Sequence, residues 1–408
     1  MFMSAVGMAV LLGLAFGLSR NRKAIQWRTI GGAFALQFGL GAFVLKVPWG
    51  QKMLSSMTDG VNKLLDYGNE GINFLFGGLT SEGVGFVFAL KVLPIIVFFA
   101  ALIAVLYHIG LMKWVIRVIG GALQKVLGTS KAESMSATAN IFVGQTEAPL
   151  VVKPFIAGMT NSELFAVMVG GLASVAGSAL AGYALIGVPV EYLIAACFMS
   201  APGGLLFAKL LVPEVDTPAT DLEADLSEDA PVNVIDAAAS GAASGLHLAL
   251  NVGAMLLAFV ALIAVLNGVL GGIGGWFGMP ELTLEMMLGW AFSPLAFLLG
   301  VPWAEAVTAG SFIGQKLVVN EFVAYLNFAP YLAENPEVIL SPKTKAIVSF
   351  ALCGFANLSS IAILLGGLGG MAPSRRKDIA RLGLLAVMAG TMSNLMSGTI
   401  AGFFVAMG

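Results

Sequence analysis

Residues 140–149 read N-I-F-V-G-Q-T-E-A-P, with apolar stretches on both sides. Gln145, Thr146 and Glu147 set an amide, a hydroxyl and a carboxylate beside Gly144 and just before Pro149. A charge at the centre of a membrane helix costs about 2.5–3.5 kcal/mol on insertion scales and more on others. A fold that keeps this segment must bury it against protein or line a wet cavity with it. The motif has a relative later in the chain. G-S-F-I-G-Q at 310–315 echoes N-I-F-V-G-Q at 140–145, and a second carboxylate, Glu321, follows. The pair reads as the tips of two half-membrane hairpins facing one polar site.

Composition sets the solvent. Of 408 residues, 58% are hydrophobic and 11% charged, where a soluble domain carries about 25% charged residues. An all-α polytopic membrane protein follows. The 51 glycines suit close helix packing and broken helices in lipid. A net charge of −2 is silent on nucleic acid, no basic patch of that kind is seen, and no nucleic-acid partner is expected. Cys197 and Cys353 lie inside apolar segments and read as small buried hydrophobes. The apolar run 2–18 precedes the basic cluster Arg20, Arg22, Lys23 and Arg28. That order is the reverse of a signal peptide and fits a first membrane helix with its N-terminus outside.

The pattern predicts eight transmembrane helices plus two re-entrant hairpins. The helices are expected at 2–18, 29–46, 84–109, 160–186, 189–211, 246–269, 344–370 and 378–406. Thr160-Asn161-Ser162-Glu163 is a capping signal for the fourth. The hairpins are expected at 131–157 and 302–330. Interfacial helices are expected at 48–78, across the positive marker Lys113, Arg117, Lys125 and Lys131, and from Glu281 to Leu299. The polar, acidic segment 213–235 reads as a solvated cytoplasmic loop. The basic clusters at 20–28, 113–131 and 375–381 then fall on one side of the membrane.

Two further echoes keep the order of the first. G-L-A-S-V at 171–175 matches G-F-A-N-L at 354–358, and Met199-Ser200 matches Met392-Ser393. They indicate a duplication of interfacial helix, hairpin, helix and helix. One crossing between the copies makes it an inverted repeat, the architecture of secondary transporters. Ser174 and Asn357 hold equivalent places, and Ser359 and Ser360 follow the second.

No Walker loop, H-E-x-x-H or paired-cysteine motif is present and no catalytic constellation stands out, so a non-enzyme is expected. Carboxylates, amides and hydroxyls together suit a neutral, hydroxyl-rich ligand: Glu accepts from a diol, while Gln and Asn donate and accept as a nucleobase edge requires. Phe355 can pack on a ring face or serve as core. Asn140 and Ser174, with carbonyls freed at the hairpin tip and at a Ser174–Val175 break, can hold a small cation. Helix capping by Asn140 is the competing explanation. Proton carriage by Glu147 or Glu321, an intramembrane acid–base enzyme and a passive channel stay open on residues alone.

G-Q-T-E-A-P at 144–149, N-E-F-V-A-Y at 320–325 and G-F-A-N-L-S-S-I at 354–361 resemble the concentrative nucleoside transporters, bacterial branch. The resemblance runs over nearly the whole chain. It implies a sodium- or proton-coupled symporter for nucleosides, a homotrimer set in lipid in the bacterial inner membrane, with a transport domain moving like an elevator against a scaffold. Residues 1–110 and 246–275 would be scaffold, 111–211 and 276–408 the two transport repeats, and 212–245 the acidic loop. Gly144, Gln145, Thr146 and Glu147 would face the base. Glu321, Asn357 and Ser360 would hold the ribose, with Phe355 lining the pocket and Ala179 near the base. Asn140, Val143, Ser174 and Val175 would hold a sodium ion. The presence of both side-chain ligands favours sodium over protons.

Overall fold

The computed structural model describes residues 1–80, 86–218, 231–333 and 339–407. The described residues are helical, without strands. Helices α1 (Phe2–Gly17), α2 (Trp27–Lys46) and α3 (Pro48–Phe76) open the chain. Pro48 starts α3, where its fixed φ suits a first helical turn. Leu54, Leu65, Gly68 and Ile72 bury one face of α3, while Lys52, Asp59, Lys63 and Asp66 stay exposed, as its amphipathic pattern predicts.

Helices α4 (Phe88–Lys91) and α5 (Leu93–His108) form the third apolar segment; residues 84–85, where it was expected to begin, lie outside the described residues. Helix α6 (Leu111–Leu127) buries Met112, Ile116, Gly120, Leu123 and Leu127 and exposes Lys113, Arg117 and Lys125. Then come α7 (Lys131–Ala139), a turn, and a 3₁₀ helix over Ala148–Gly158, which together are the first hairpin. Ser130 and Glu133 start α7 with a reciprocal cap, each side chain serving the other's backbone N–H. Thr160 and Glu163 repeat the device at α8 (Asn161–Ala173), the cap read from sequence. Helices α9 (Gly177–Leu185) and α10 (Val190–Leu211) complete the first repeat. Buried Lys209 on α10 pairs with Glu133 and donates to Ser162 Oγ at 2.8 Å, tying α10 to the bases of α7 and α8.

Helix α11 (Val234–Trp276) follows, then α12 (Leu284–Leu298), α13 (Trp303–Val318) and α14 (Glu321–Leu332). Between α12 and α13 the axis bends by 115°. Helices α15 (Pro342–Leu352), α16 (Ser360–Met371) and α17 (Arg376–Val405) end the chain. The order of elements in α6–α10 recurs in α12–α17: a helix, a hairpin, a helix broken in two, and a long helix.

Two expectations change. The seventh apolar segment, expected as 344–370, is broken at 353–359, while the fourth, expected as 160–186, is broken at 174–176, where the Ser174–Val175 break was expected. Hydropathy is continuous across both, so it reports the segment and not the break. The sixth helix is 43 residues long, not 246–269, and absorbs both the end of the expected loop and glycine-rich residues 271–276. At 1.5 Å per residue it measures about 65 Å, about twice what one perpendicular crossing of the hydrocarbon needs. The centre of the acidic loop, 219–230, lies outside the described residues. By length and composition, six helical segments among the described residues can span a membrane, or seven if the bent pair α12–α13 counts as one span; α1, with 16 residues, is shorter.

Small residues fit α11 to α5. A Cβ on Gly245 would lie 2.8 Å from Val97 Cα and 2.7 Å from Ala100 Cβ, and Gly241 one turn earlier is equally close to Ala101. This is the small-residue seam by which helix backbones approach in lipid. Gly245→Leu should force the pair apart. Overpacking costs about 1–3 kcal/mol, so a fall in the thermal unfolding midpoint in detergent is expected, whereas Gly268→Leu, in open space, should leave the midpoint unchanged.

Candidate functional site

The first hairpin turns where helix α7 stops at Asn140. Asn140 Nδ2 donates back to the Ser136 carbonyl at 2.9 Å. That bond caps the helix end and turns the other half of the carboxamide outward. Asn140 Oδ1 is buried without a hydrogen-bond partner. Capping and a free ligand oxygen are thus two halves of one side chain. Gly144, buried in the turn, leaves room for Glu147 Oε2 and the Ala176 methyl. Gln145 is buried, packs its Cα and Cβ on Gly171 of α8, and leaves Oε1 without a partner. Thr146 is half-buried against Gly367 of α16, and Glu147 is exposed. Val143 is buried in the same turn.

Break one follows α8. Ser174, buried and extended, keeps its Oγ without a partner. Val175 is buried beside it. The Gly177 N–H donates to the Phe142 carbonyl at 3.0 Å, locking the start of α9 onto the hairpin-one turn. Ala179 is buried in the first turns of α9.

The second repeat builds the opposite wall. Asn320 caps α14, accepting from the Val323 N–H at 2.9 Å, and so puts Glu321 at the first helical position. A helix N-terminus favours an anionic side chain there. Glu321 is buried; one oxygen accepts from Tyr183 Oη at 3.1 Å and the other from Asn357 Nδ2 at 3.0 Å. Asn357, in break two, has its own oxygen engaged by Ser359 Oγ at 2.7 Å and by the Ser360 N–H at 2.9 Å. Phe355 is half-buried, and Ser360 Oγ donates to its carbonyl. The Leu358 N–H donates to the Leu317 carbonyl of hairpin two at 3.2 Å, mirroring Gly177 on Phe142.

The two breaks touch. The Phe355 N–H donates to the Ser174 carbonyl at 3.1 Å, and Asn394 Nδ2 on α17 reaches Ala173 O at 2.6 Å and Cys353 O at 3.0 Å. Hairpin one closes on break one, Glu321 on break two, and the breaks are bonded to each other. The hairpin-one turn, the two breaks and Glu321 therefore form one connected assembly. Sequence reasoning missed Tyr183, Lys316 and Asn394. Each carried a readable signal: a lone tyrosine in an apolar helix, a lysine one place beyond the repeated G-Q, and an asparagine next to the repeated M-S.

Buried polar groups without partners are rare in folded proteins. Asn140 Oδ1, Gln145 Oε1 and Ser174 Oγ are three of the buried side-chain atoms without a partner, and they lie on one hairpin tip and one helix break that are bonded to each other. Neutral hard oxygens of this kind suit a small cation.

The chain is similar to known proteins over most of its length. Residues 192–402 match the Na+ dependent nucleoside transporter C-terminus, 6–79 its N-terminus, and 89–189 a nucleoside recognition segment. Among relatives, the nucleoside permease NupC of Helicobacter pylori is 56% identical, covering 98% of this chain and 97% of that protein. The human sodium/nucleoside cotransporter 1 is 38% identical over 98% of this chain, which spans 63% of the human protein. A solved structure of CNTnw in an inward-facing, substrate-bound state has 63% identity and a TM-score of 0.96, covering 100% of this chain and 98% of that one. A CNTnw variant in an outward-facing state gives 0.98 at the same identity, covering 100% and 99%. The chain belongs to the family of Na+ dependent, concentrative nucleoside transporters, which are membrane carriers and not enzymes.

Proposed function

We propose that the chain imports nucleosides across the bacterial inner membrane, driven by the sodium gradient, by alternating access. The observation that carries this reading is the pair of bonded helix breaks, with partnerless oxygens on one side and the Glu321–Asn357 pair on the other. In it, Gln145, Thr146 and Glu147 face the base beside Gly144 and Ala179. Glu321, Asn357 and Ser360 hold the ribose, with Phe355 against it. An ionised Glu321 accepts from two hydroxyls at once, which Asn357 and Tyr183 prepare by fixing its plane.

Sodium is cargo as well as driver. Asn140 and Ser174 supply side-chain oxygens to it, and Val143 and Val175 main-chain oxygens. Ordering the turn 140–147 around the ion presets Gln145 and Glu147 for the base, so ion and nucleoside tighten each other's binding equally. The repeats α6–α10 and α12–α17 are antiparallel because one helix, α11, separates them. They move as the transport domain against α1–α5 and α11, in a homotrimer whose lipid- and protomer-facing surface includes exposed Leu257, Leu262 and Val265.

Uridine uptake into proteoliposomes tests the coupling. A sodium gradient is expected to drive accumulation above equilibrium. Accumulation driven by a pH gradient and indifferent to sodium would favour the proton-coupled alternative through Glu147 or Glu321.

A further inference from the structure

The echo that pairs Gln145 with Gln315 also pairs Thr146 with Lys316. Lys316 lies in α13 near the turn of hairpin two and is 2% exposed. Its Nζ donates to Ala351 O at 2.8 Å and to Asn394 Oδ1 at 2.6 Å. Ala351 belongs to the last turn of α15, where carbonyls have no intrahelical partner and the helix dipole is negative. The Asn394 amide passes the connection on, to Cys353 O in break two and to Ala173 O at the end of α8. One ammonium thus holds the C-terminal end of α15 directly and the end of α8 through one carboxamide. Repeat one carries a threonine at that place, and its break keeps partnerless oxygens instead.

We infer that Lys316 is a tethered cation, a positioning residue that does permanently for break two what an exchangeable ion does for break one. The inference rests on the proposed transport site and adds a device to it. Break two runs from Cys353 to Ser359 and presents Phe355 and Asn357, with Ser360 next in line. Pinning Ala351 and Cys353 sets the register in which Asn357 meets Glu321. The sugar edge of the site should then depend on Lys316 and the base edge much less.

Calorimetric binding of uridine and 3′-deoxyuridine to the full-length protein, in sodium, tests this. Loss of a hydrogen bond to a charged group corresponds to about 10- to 100-fold in affinity, the expected preference of wild type for uridine. Lys316→Met should lower uridine affinity by about tenfold or more while changing 3′-deoxyuridine by less than about threefold, so the preference collapses. A role in packing alone would weaken both nucleosides alike and keep their ratio, which overturns the inference, as does unchanged binding of both. Lys316→Gln keeps one donor at similar reach without the charge; should the methionine variant not fold, the same ratio in the glutamine variant decides. A wild type that does not discriminate the two nucleosides would remove the ribose reading itself rather than the Lys316 assignment alone.

Discussion

Glu321→Ala is expected to weaken nucleoside binding by about 10²–10⁴-fold, on the reading that two ribose hydroxyls each give the carboxylate a bond worth about 1.5–3 kcal/mol. In the protein as it stands the carboxylate is buried and already holds Tyr183 and Asn357. Alanine removes the acceptor of both and leaves Tyr183 Oη and Asn357 Nδ2 without it. Glu321→Gln keeps the volume and one acceptor oxygen, and should fall between alanine and wild type. It also separates roles. Where Glu321 is a sugar contact, both variants lose nucleoside affinity and keep whatever ion dependence remains. Where it carries protons, the glutamine variant abolishes proton-driven uptake while binding survives. Calorimetry and uptake on the same preparations distinguish the two.

The second large effect is on the ion. Asn140→Ala is expected to raise the sodium concentration for half-maximal uptake by about 10- to 100-fold, the loss of one bond to a charged partner. Because linkage is reciprocal, the dependence of uridine affinity on sodium should flatten in the same variant. The carboxamide's two halves explain the choice. Its amide only closes the end of α7 on Ser136, a contribution of about 1 kcal/mol. Its oxygen has no partner at all. Ser174→Ala, which removes the other partnerless oxygen, should act in the same direction. Sodium titrations of uptake with uridine binding in parallel check both, and an unchanged half-maximal concentration in both variants would remove the ion assignment.

How much of this was legible beforehand follows from what each signal encodes. The G-Q echo and the carboxylates after it marked both hairpin tips, because a charge flanked by apolar sequence has few places to go. The Thr160–Glu163 cap was readable because both partners lie within one turn. Break one was anticipated only as a source of carbonyls at Ser174. Break two was expected as continuous helix, although G-F-A-N-L-S-S holds a glycine, an alanine and three polar residues among only two bulky apolar ones. Its departure from helix is set by contacts far away in sequence: Phe355 on Ser174, Leu358 on Leu317 and Asn394 on Cys353. The start of α11 was misread as loop because D-A-A-A-S-G-A-A-S-G lacks bulky apolar residues. Those small residues are what lets α11 approach α5. The role of Lys316 is set by partners 35 and 78 residues away, which no spacing within its own segment announces.

The central claim is that both repeats contribute to one binding site, across breaks bonded to each other through Phe355 and Ser174. The most direct measurement is an experimental structure of the protein with sodium and uridine bound. The base is expected beside Gln145 and Glu147, the ribose on Glu321 and Asn357, and the ion at Asn140 and Ser174. Uridine held by one repeat alone, with Glu321 still bonded only to Tyr183 and Asn357, would contradict it.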